Sequence, residues 1–96
     1  MKIYTLGERK NYLKFVKDGK KKLGPREYLR SIDGPYPGGI CFSSIEKALA
    51  YREKKNKRNY SVFELEGDFN EDAVYNKKLG YYTIKRDLKI MREVAI

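Results

Sequence analysis

The clearest pattern of apolar and polar positions lies between Gly39 and Gly67. The short apolar run at 40–42 is typical of a buried strand. Apolar residues then recur at the three- and four-residue spacing of one helix face, which predicts a helix over 44–56. Beyond it, apolar and polar positions alternate over 60–66, as in a strand. The stretch is therefore predicted to form a β-α-β unit.

The predicted helix has two different faces. Ile45, Ala48 and Leu49 lie on a face that we expect to pack against a sheet. The other face is expected to meet solvent, because it carries basic and tyrosine side chains spaced by four, three and four residues, at Lys47, Tyr51, Lys54 and Arg58.

Two serines mark the start of this helix. Ser43 and Glu46 have the spacing of a capping box. Because free backbone N–H groups at a helix N-terminus attract anions, Ser43 and Ser44 are also a candidate anion site. Capping explains both serines without a ligand, and the chain has no GxxxxGK[ST] phosphate loop.

Further alternating runs predict strands near 2–6, 11–16, 81–84 and 88–95. In the last of these, Leu88, Ile90, Val94 and Ile96 share one parity, interrupted at Arg92, and are expected on one face. The polar residues 68–72 predict a turn, followed by an extended piece at 73–75 that leads into a hairpin.

A second, shorter helix is predicted after Gly24-Pro25, since proline suits the first helical position. Tyr28, Leu29 and Ile32 would cover the sheet. No internal repeat or linker divides the chain. Residues 1–96 are therefore predicted to form one α+β domain, a mainly antiparallel sheet with a central β-α-β unit and two covering helices.

The net charge of the chain indicates the class of partner more clearly than any single motif does. The chain has 22 Lys and Arg against 13 Asp and Glu, a net charge of +9. Such an excess favours anionic partners, among them nucleotides and nucleic acid. The same excess can serve solubility alone, and composition does not separate the two interpretations.

The residue types that are absent or rare in the chain exclude several kinds of catalysis and metal binding. The chain has no histidine, which excludes Ser-His-Asp and Cys-His catalysis. Its one cysteine, Cys41, cannot form an intramolecular disulfide or a cysteine zinc site, so no metal or cofactor is expected. No apolar window is long enough to span a membrane, and the N-terminal residues lack a signal-peptide core. A cytoplasmic protein without a membrane partner is expected.

Basic and aromatic residues recur together in three parts of the chain. Cationic side chains pair with phosphates and tyrosine rings stack on bases, so this interleaving favours binding of a nucleotide or a single strand. Tyrosines beside strands also pack simply with their hydroxyls at the rim. The candidate binding residues are Arg9, Lys10, Tyr51, Arg52, Lys55, Arg58, Tyr81, Tyr82 and Arg86.

A different chemistry is suggested by an upstream arginine, Ser43-Ser44 after a strand, and Glu64-Leu65-Glu66. This order resembles the pattern of arginine-serine-glutamate ADP-ribosyltransferases. The resemblance implies that Glu66 orients the nicotinamide ribose, that one serine supports the pocket, and that Arg9 or Arg30 holds the cofactor's phosphates. The two glutamates can also be explained without catalysis, as carboxylates on the solvent-facing surface of a strand.

Residues 39–96 also resemble small phage and prophage proteins of uncharacterised function. The shared motifs are a helix start F-S-x-x-x-x-A-x-x-Y, a strand Y-S-V-F-E-L and a final strand like L-K-I-M-R-E-V. The resemblance implies a phage-encoded accessory protein in the host cytoplasm. Such a protein would sequester a nucleotide signal or block a host factor.

We therefore expect a non-enzymatic binding module for an anionic nucleotide or nucleic acid. The alternative is a small phage-type inhibitor that covers an acidic or nucleic-acid-binding surface of a host protein, with Tyr36 or Tyr82 as an anchor. A minimal ADP-ribosyltransferase-like enzyme is the third alternative. The sequence does not choose the ligand or the oligomeric state.

Overall fold

The computed structural model describes residues 1–8, 28–29 and 39–95. The predicted strand at 11–16 lies outside these residues, as do Arg9, Lys10, Arg30, Tyr36 and Ile96. The described strands are β1 (Ile3–Glu8), β2 (Tyr28–Leu29), β3 (Tyr60–Leu65), β4 (Ala73–Asn76), β5 (Tyr81–Ile84) and β6 (Leu88–Glu93), and the helices are α1 (Ile45–Lys54) and α2 (Phe69–Asp72).

The strands form two antiparallel sheets. One has four strands in the order β1-β3-β6-β2, and the other is the hairpin of β4 and β5. The predicted class, α+β with a mainly antiparallel sheet, is confirmed. Strands near 2–6, 60–66, 81–84 and 88–95 are confirmed to within two residues at each end, and so is the hairpin after 73–75.

The segment 39–42 joins the two sheets. Phe42 and Tyr4 exchange two main-chain hydrogen bonds of 2.9 and 2.8 Å, which attach the segment to β1. On the other side, the Cys41 N–H donates to the Tyr82 carbonyl at 2.9 Å. The segment forms single bridges to each neighbour in place of the predicted strand. Because β1 lies between it and β3, the predicted central β-α-β unit is not confirmed.

Helix α1 is confirmed, although it starts and ends inside the predicted 44–56. Ser44 is its N-cap, and the Ser44 hydroxyl accepts the Lys47 N–H at 3.1 Å. The predicted capping box of Ser43 and Glu46 is therefore wrong by one residue. Asn56 has a positive φ of 54°, a conformation that cannot continue a helix.

The helix predicted after Pro25 is wrong at the two residues of that stretch that the structure describes. Tyr28 and Leu29 form strand β2, which pairs with β6. Pairing gives the outer main-chain groups of β6 hydrogen-bond partners, whereas a helix of two turns is only marginally stable. The second helix is instead the single turn α2, in place of the predicted turn. Asp68 caps it by accepting the Asn70 N–H at 2.8 Å.

The four-stranded sheet is covered on both faces. Phe63 and Leu65 point to one face, where they join a buried cluster with residues such as Ile3 and Leu88. Val62 points to the other face and packs in a second buried cluster with Ala48 of α1. Glu64 and Glu66 were expected to meet solvent; this is wrong for Glu64, whose side chain is 17% exposed on the face that α1 covers, whereas Glu66 is exposed. The packing predicted for Ile45, Ala48 and Leu49 is confirmed.

A β-bulge in β6 divides its apolar residues between the two clusters. Leu65 pairs with Ile90, but the preceding Glu64 pairs with Arg92, so Met91 is the extra residue. As a result, Ile90 belongs to the cluster of Phe63, whereas Val94 belongs to the cluster of α1. The expectation that Leu88, Ile90 and Val94 share one face is wrong for this reason.

The assignment of the N-cap predicts different costs for two neighbouring serines. Replacing Ser44 with Ala removes the acceptor of the Lys47 N–H and should lower the free energy of unfolding by about 1 kcal/mol. Ser43→Ala removes only an exposed contact with Lys47 Nζ and should change it by less than about 0.5 kcal/mol. Urea denaturation measures both values. An equal or larger cost for Ser43→Ala would contradict the assignment.

Candidate functional site

An open groove of about 390 Å³ lies between α1 and the β4–β5 hairpin. Helix α1 supplies one wall through Lys47, Ala50, Tyr51 and Lys54. These residues share one helix face, because they follow one another by three, one and three positions. The structure thus places the predicted Lys47, Tyr51 and Lys54 face on the groove. Arg58 lies beyond the end of α1 and is exposed.

The hairpin supplies the opposite wall with three tyrosines. Tyr81 packs edge-on against Tyr51 of the helix, with ring centroids 4.7 Å apart. Tyr82 and Tyr75 are cross-strand neighbours whose ring centroids are 5.3 Å apart. We call these the Tyr51–Tyr81 pair and the Tyr75–Tyr82 pair. The rings of the second pair are the more open, since Tyr75 is 52% exposed and Tyr82 is 44% exposed.

The Tyr51–Tyr81 pair is tied to the core of the protein. Tyr51 also packs on Phe42, whose ring centroid lies 5.3 Å away. Burial raises the pKa of Tyr51, and the neighbouring Tyr81 and Tyr60 raise it further. The Tyr51 hydroxyl therefore keeps its proton at neutral pH and can donate a hydrogen bond.

Lysines give this groove its charge. Lys47 and Lys54 lie on its helix wall with exposed side chains, and Lys47 Nζ donates to Ser43 Oγ at 3.1 Å. Lys55 follows directly, with its Nζ 5.9 Å from the centre of the Tyr81 ring. An anionic ligand that entered between the walls would meet ammonium groups beside aromatic rings.

The groove floor includes Cys41, which is almost fully buried. Burial raises the pKa of this thiol to about 12. Because the thiolate is the reactive form, the protonated Cys41 is unsuited to nucleophilic chemistry at neutral pH. Its side chain packs as a small apolar residue in the same cluster as Phe63.

Apart from the exposed Arg58, the predicted binding residues that the structure describes separate into two groups. Tyr51, Tyr81 and Tyr82 line the groove with Ser43, and Lys55 stands beside it. Two arginines from the same prediction instead make contacts within the fold. Arg52 donates from Nη1 to the Tyr60 carbonyl at 3.2 Å, and Arg86 pairs with Asp72 at 2.9 Å.

The predicted binding set did not include the two lysines of the groove lining or its fourth tyrosine, Tyr75. Lys47 lies four residues before Tyr51 and Lys54 three residues after it, so the helix pattern could have identified both. Tyr75 could be found only from its pairing with Tyr82 across the hairpin. Ser44, the other half of the candidate anion site, serves as the N-cap of α1.

The residues that resemble the transferase pattern lie elsewhere. Glu64 forms ion pairs with Lys2 at 3.3 Å and with Arg92 at 3.2 Å, and its side chain is only 17% exposed. Glu66 lies beyond the end of β3 and is exposed, and its N–H donates to the Lys89 carbonyl at 2.8 Å. Glu64 is thus held by cations of the surrounding strands.

Asp72 connects α2 to the residues that precede and follow the hairpin. Its carboxylate accepts the Asp68 N–H at 2.8 Å and pairs with Arg86, while its carbonyl accepts the Lys85 N–H at 2.7 Å. The hydrogen bond from Asp68 lowers the pKa of Asp72, and Arg86 lowers it further. Gly67 leaves room for this carboxylate, because a Cβ there would lie 2.6 Å from Asp72 Oδ2.

The fold and groove define a small basic α+β domain with an aromatic, lysine-rimmed groove. Comparison with known protein families, with curated proteins and with solved structures gave no match. In the described part of the chain, no helix is long and apolar enough to cross a membrane. Nor do the described residues bring together a metal-binding group of three or more His, Cys, Asp or Glu side chains.

The lowered pKa of Asp72 predicts how stability depends on pH. Its ionised form stabilises the fold above the pKa of about 3.9 that an Asp has in an unfolded chain. That contribution is lost as the pH falls through the lower pKa of the folded state. Asp72→Asn should therefore lower the free energy of unfolding by about 1–3 kcal/mol at pH 7, and by progressively less below about pH 4.

Denaturant unfolding from pH 7 to pH 2.5 measures this difference. Glu66→Gln is the matched control, because it removes an exposed carboxylate and should follow the parent profile to within about 0.5 kcal/mol. A difference between the parent and Asp72→Asn that stays constant across the whole range would contradict the assignment.

Proposed function

We propose that this protein is a non-enzymatic binding module for an anionic nucleotide or nucleic acid, and that the groove between α1 and the hairpin is its binding site. One observation carries the proposal: four tyrosine rings line the same groove as Lys47 and Lys54. Among the described residues, this is where predicted binding residues from the helix and from the hairpin come together.

The chemistry of these side chains suits both parts of a nucleotide. Tyrosine rings present faces on which any base can stack, and ammonium groups pair with phosphate oxygens. Lys55 near the Tyr81 ring adds positive charge beside a stacking surface. The net charge of +9 draws an anion towards the protein over longer distances than these contacts reach.

Binding without catalysis is the form of the proposal that the groove supports best. Its described lining offers lysines, one serine, and a tyrosine and a cysteine that are held protonated. The transferase-like alternative has less support, because Glu64 is already held in two ion pairs. With the resemblance to phage proteins, the proposal extends to an accessory protein that sequesters a nucleotide signal in the host cytoplasm.

A second candidate function is inhibition of a host protein through the hairpin. Val74 is 46% exposed and Leu79 is 43% exposed, beside the open rings of Tyr75 and Tyr82. Lys77-Lys78 in the hairpin turn are exposed as well. Apolar and aromatic anchors next to lysines would suit an acidic protein surface.

Replacing one groove lysine tests the proposed site. Lys54→Gln should weaken binding of a labelled single-stranded oligonucleotide about threefold to tenfold at low salt, because one phosphate contact is lost. The slope of log K against log salt should become shallower by about 0.7, the value for one phosphate contact on a single strand. Fluorescence anisotropy at several salt concentrations measures both quantities, and thermal shifts with a nucleotide panel cover small ligands.

Lys57→Gln is the matched control for this experiment. It removes the same charge from an exposed lysine that lies over Tyr60, 5.3 Å from the ring centre, and not in the groove lining. Its affinity and its salt slope should stay close to those of the parent. Equal effects of the two substitutions would show that general charge, and not this groove, is responsible for binding.

A further inference from the structure

We infer that the ligand of the groove is a single-stranded nucleic acid, contacted over about two or three nucleotides with little regard to base identity, and not a mononucleotide. The inference rests on the proposed function and names the class of ligand for the same site. Three features of the groove support it: the separation of its lysines, the number of its ring pairs and the polar groups of its lining.

The first feature is the separation of charge along the groove. Lys47 and Lys54 are seven residues apart in α1, which corresponds to about 10.5 Å along the helix axis. Lys47 Nζ is held at one end by Ser43 Oγ, 3.1 Å away. The two ammonium groups are therefore placed to meet different phosphates. At a rise of about 3.4 Å per nucleotide, this distance corresponds to roughly three stacked nucleotides.

The second feature is the presence of two ring pairs. Tyr81 and Tyr82 are consecutive on β5, so their side chains point to opposite sides of the strand. Tyr81 packs with Tyr51, and Tyr82 packs with Tyr75 and with Phe69, so the rings that line the groove form two separate aromatic surfaces, one from each side of β5. A single base can stack on only one of these surfaces. A chain of nucleotides can place one base on each.

The third feature is the set of polar groups in the lining. Planar side chains with paired hydrogen-bonding groups, those of Asn, Gln, Asp, Glu and Arg, distinguish base edges by their fixed geometry, whereas a rotatable ammonium or hydroxyl group discriminates less. The described lining contains none of these residue types and offers instead ammonium groups and the hydroxyls of serine and tyrosine. Stacking and phosphate contacts then supply most of the affinity, and both tolerate any base.

Affinity as a function of ligand length tests the inference. The probes are thymidine monophosphate, the corresponding di-, tri- and hexanucleotides, and hexanucleotides of dA, dC and rU, all titrated at one salt concentration. We expect affinity to rise at least tenfold from the mononucleotide to the trinucleotide. From the trinucleotide to the hexanucleotide it should rise only in proportion to the number of overlapping positions at which the longer strand can bind. The four hexanucleotides should agree to within about fivefold.

Tyr82 provides the variant that connects this behaviour to the groove. Tyr82→Ala should weaken trinucleotide binding about tenfold, as expected for the loss of one base stack, and Tyr82→Phe should restore it because the ring is kept. Tyr82 is half-exposed, so the fold should tolerate both changes, which circular dichroism can check. If Tyr82→Ala unfolds, Tyr75→Ala removes the other ring of the same pair, and it should weaken binding similarly.

The outcomes separate this inference from the proposed function. A mononucleotide that binds as tightly as the trinucleotide would overturn the inference and leave the proposed function standing. So would a preference of more than tenfold for one base. If no probe binds and the nucleotide panel gives no thermal shift, or if binding does not respond to the Tyr82 and Tyr75 variants, the groove is not the binding site and both proposals fail.

Discussion

The main-chain hydrogen bonds of the segment 39–42 hold the two sheets together. On one side Phe42 is bonded twice to Tyr4 of β1, and on the other Cys41 and Gly39 are bonded to Tyr82 and Ile84 of β5. Tyr4, Phe42, Cys41 and Ile84 are buried, so leaving one of their bonded main-chain groups without a partner would cost about 1–3 kcal/mol. Helix α1 begins three residues after the segment, and strand β5 of the hairpin is hydrogen-bonded to the segment itself. The distance between the groove walls therefore depends on this segment and on the contact between Tyr51 and Tyr81.

The groove is a consequence of these connections. Ala48 and Leu49 pack α1 against the sheet. Because of this packing, the helix face with Lys47, Tyr51 and Lys54 lies towards the hairpin. Tyr51 contacts both Phe42 in the core and Tyr81 in the hairpin, so its ring links the two walls. Walls held in this way need little ordering when a ligand binds, which reduces the entropic cost of binding.

Local patterns predicted the elements but not the long-range pairings. The helical spacing identified α1 and placed Lys47, Tyr51 and Lys54 on one face, and alternation identified β5. Local spacing could not show that β1 lies between 39–42 and β3. It also could not show the bulge at Met91, which depends on register with a distant strand.

The same limit explains why the predicted binding set included two arginines that make contacts within the fold and left out Tyr75. Arg52 and Arg86 stood in the predicted binding set beside tyrosines that do line the groove. Their partners, the Tyr60 carbonyl and the Asp72 carboxylate, are brought to them only by folding. Tyr75 was absent from the predicted set because its partner Tyr82 lies across the hairpin turn. The interleaving of basic and aromatic residues thus pointed to the groove, while tertiary contacts decided which of these side chains line it.

The most direct test of the groove as the binding site is to map where a ligand perturbs the folded protein. In a two-dimensional NMR titration with a trinucleotide, the amide and tyrosine-ring signals that shift should belong to 47–55 of α1 and to 75–82 of the hairpin. Signals from Met91 and Arg92 on β6, outside the groove lining, should stay in place. Shifts centred on β6, or spread evenly over the basic surface, would contradict the account.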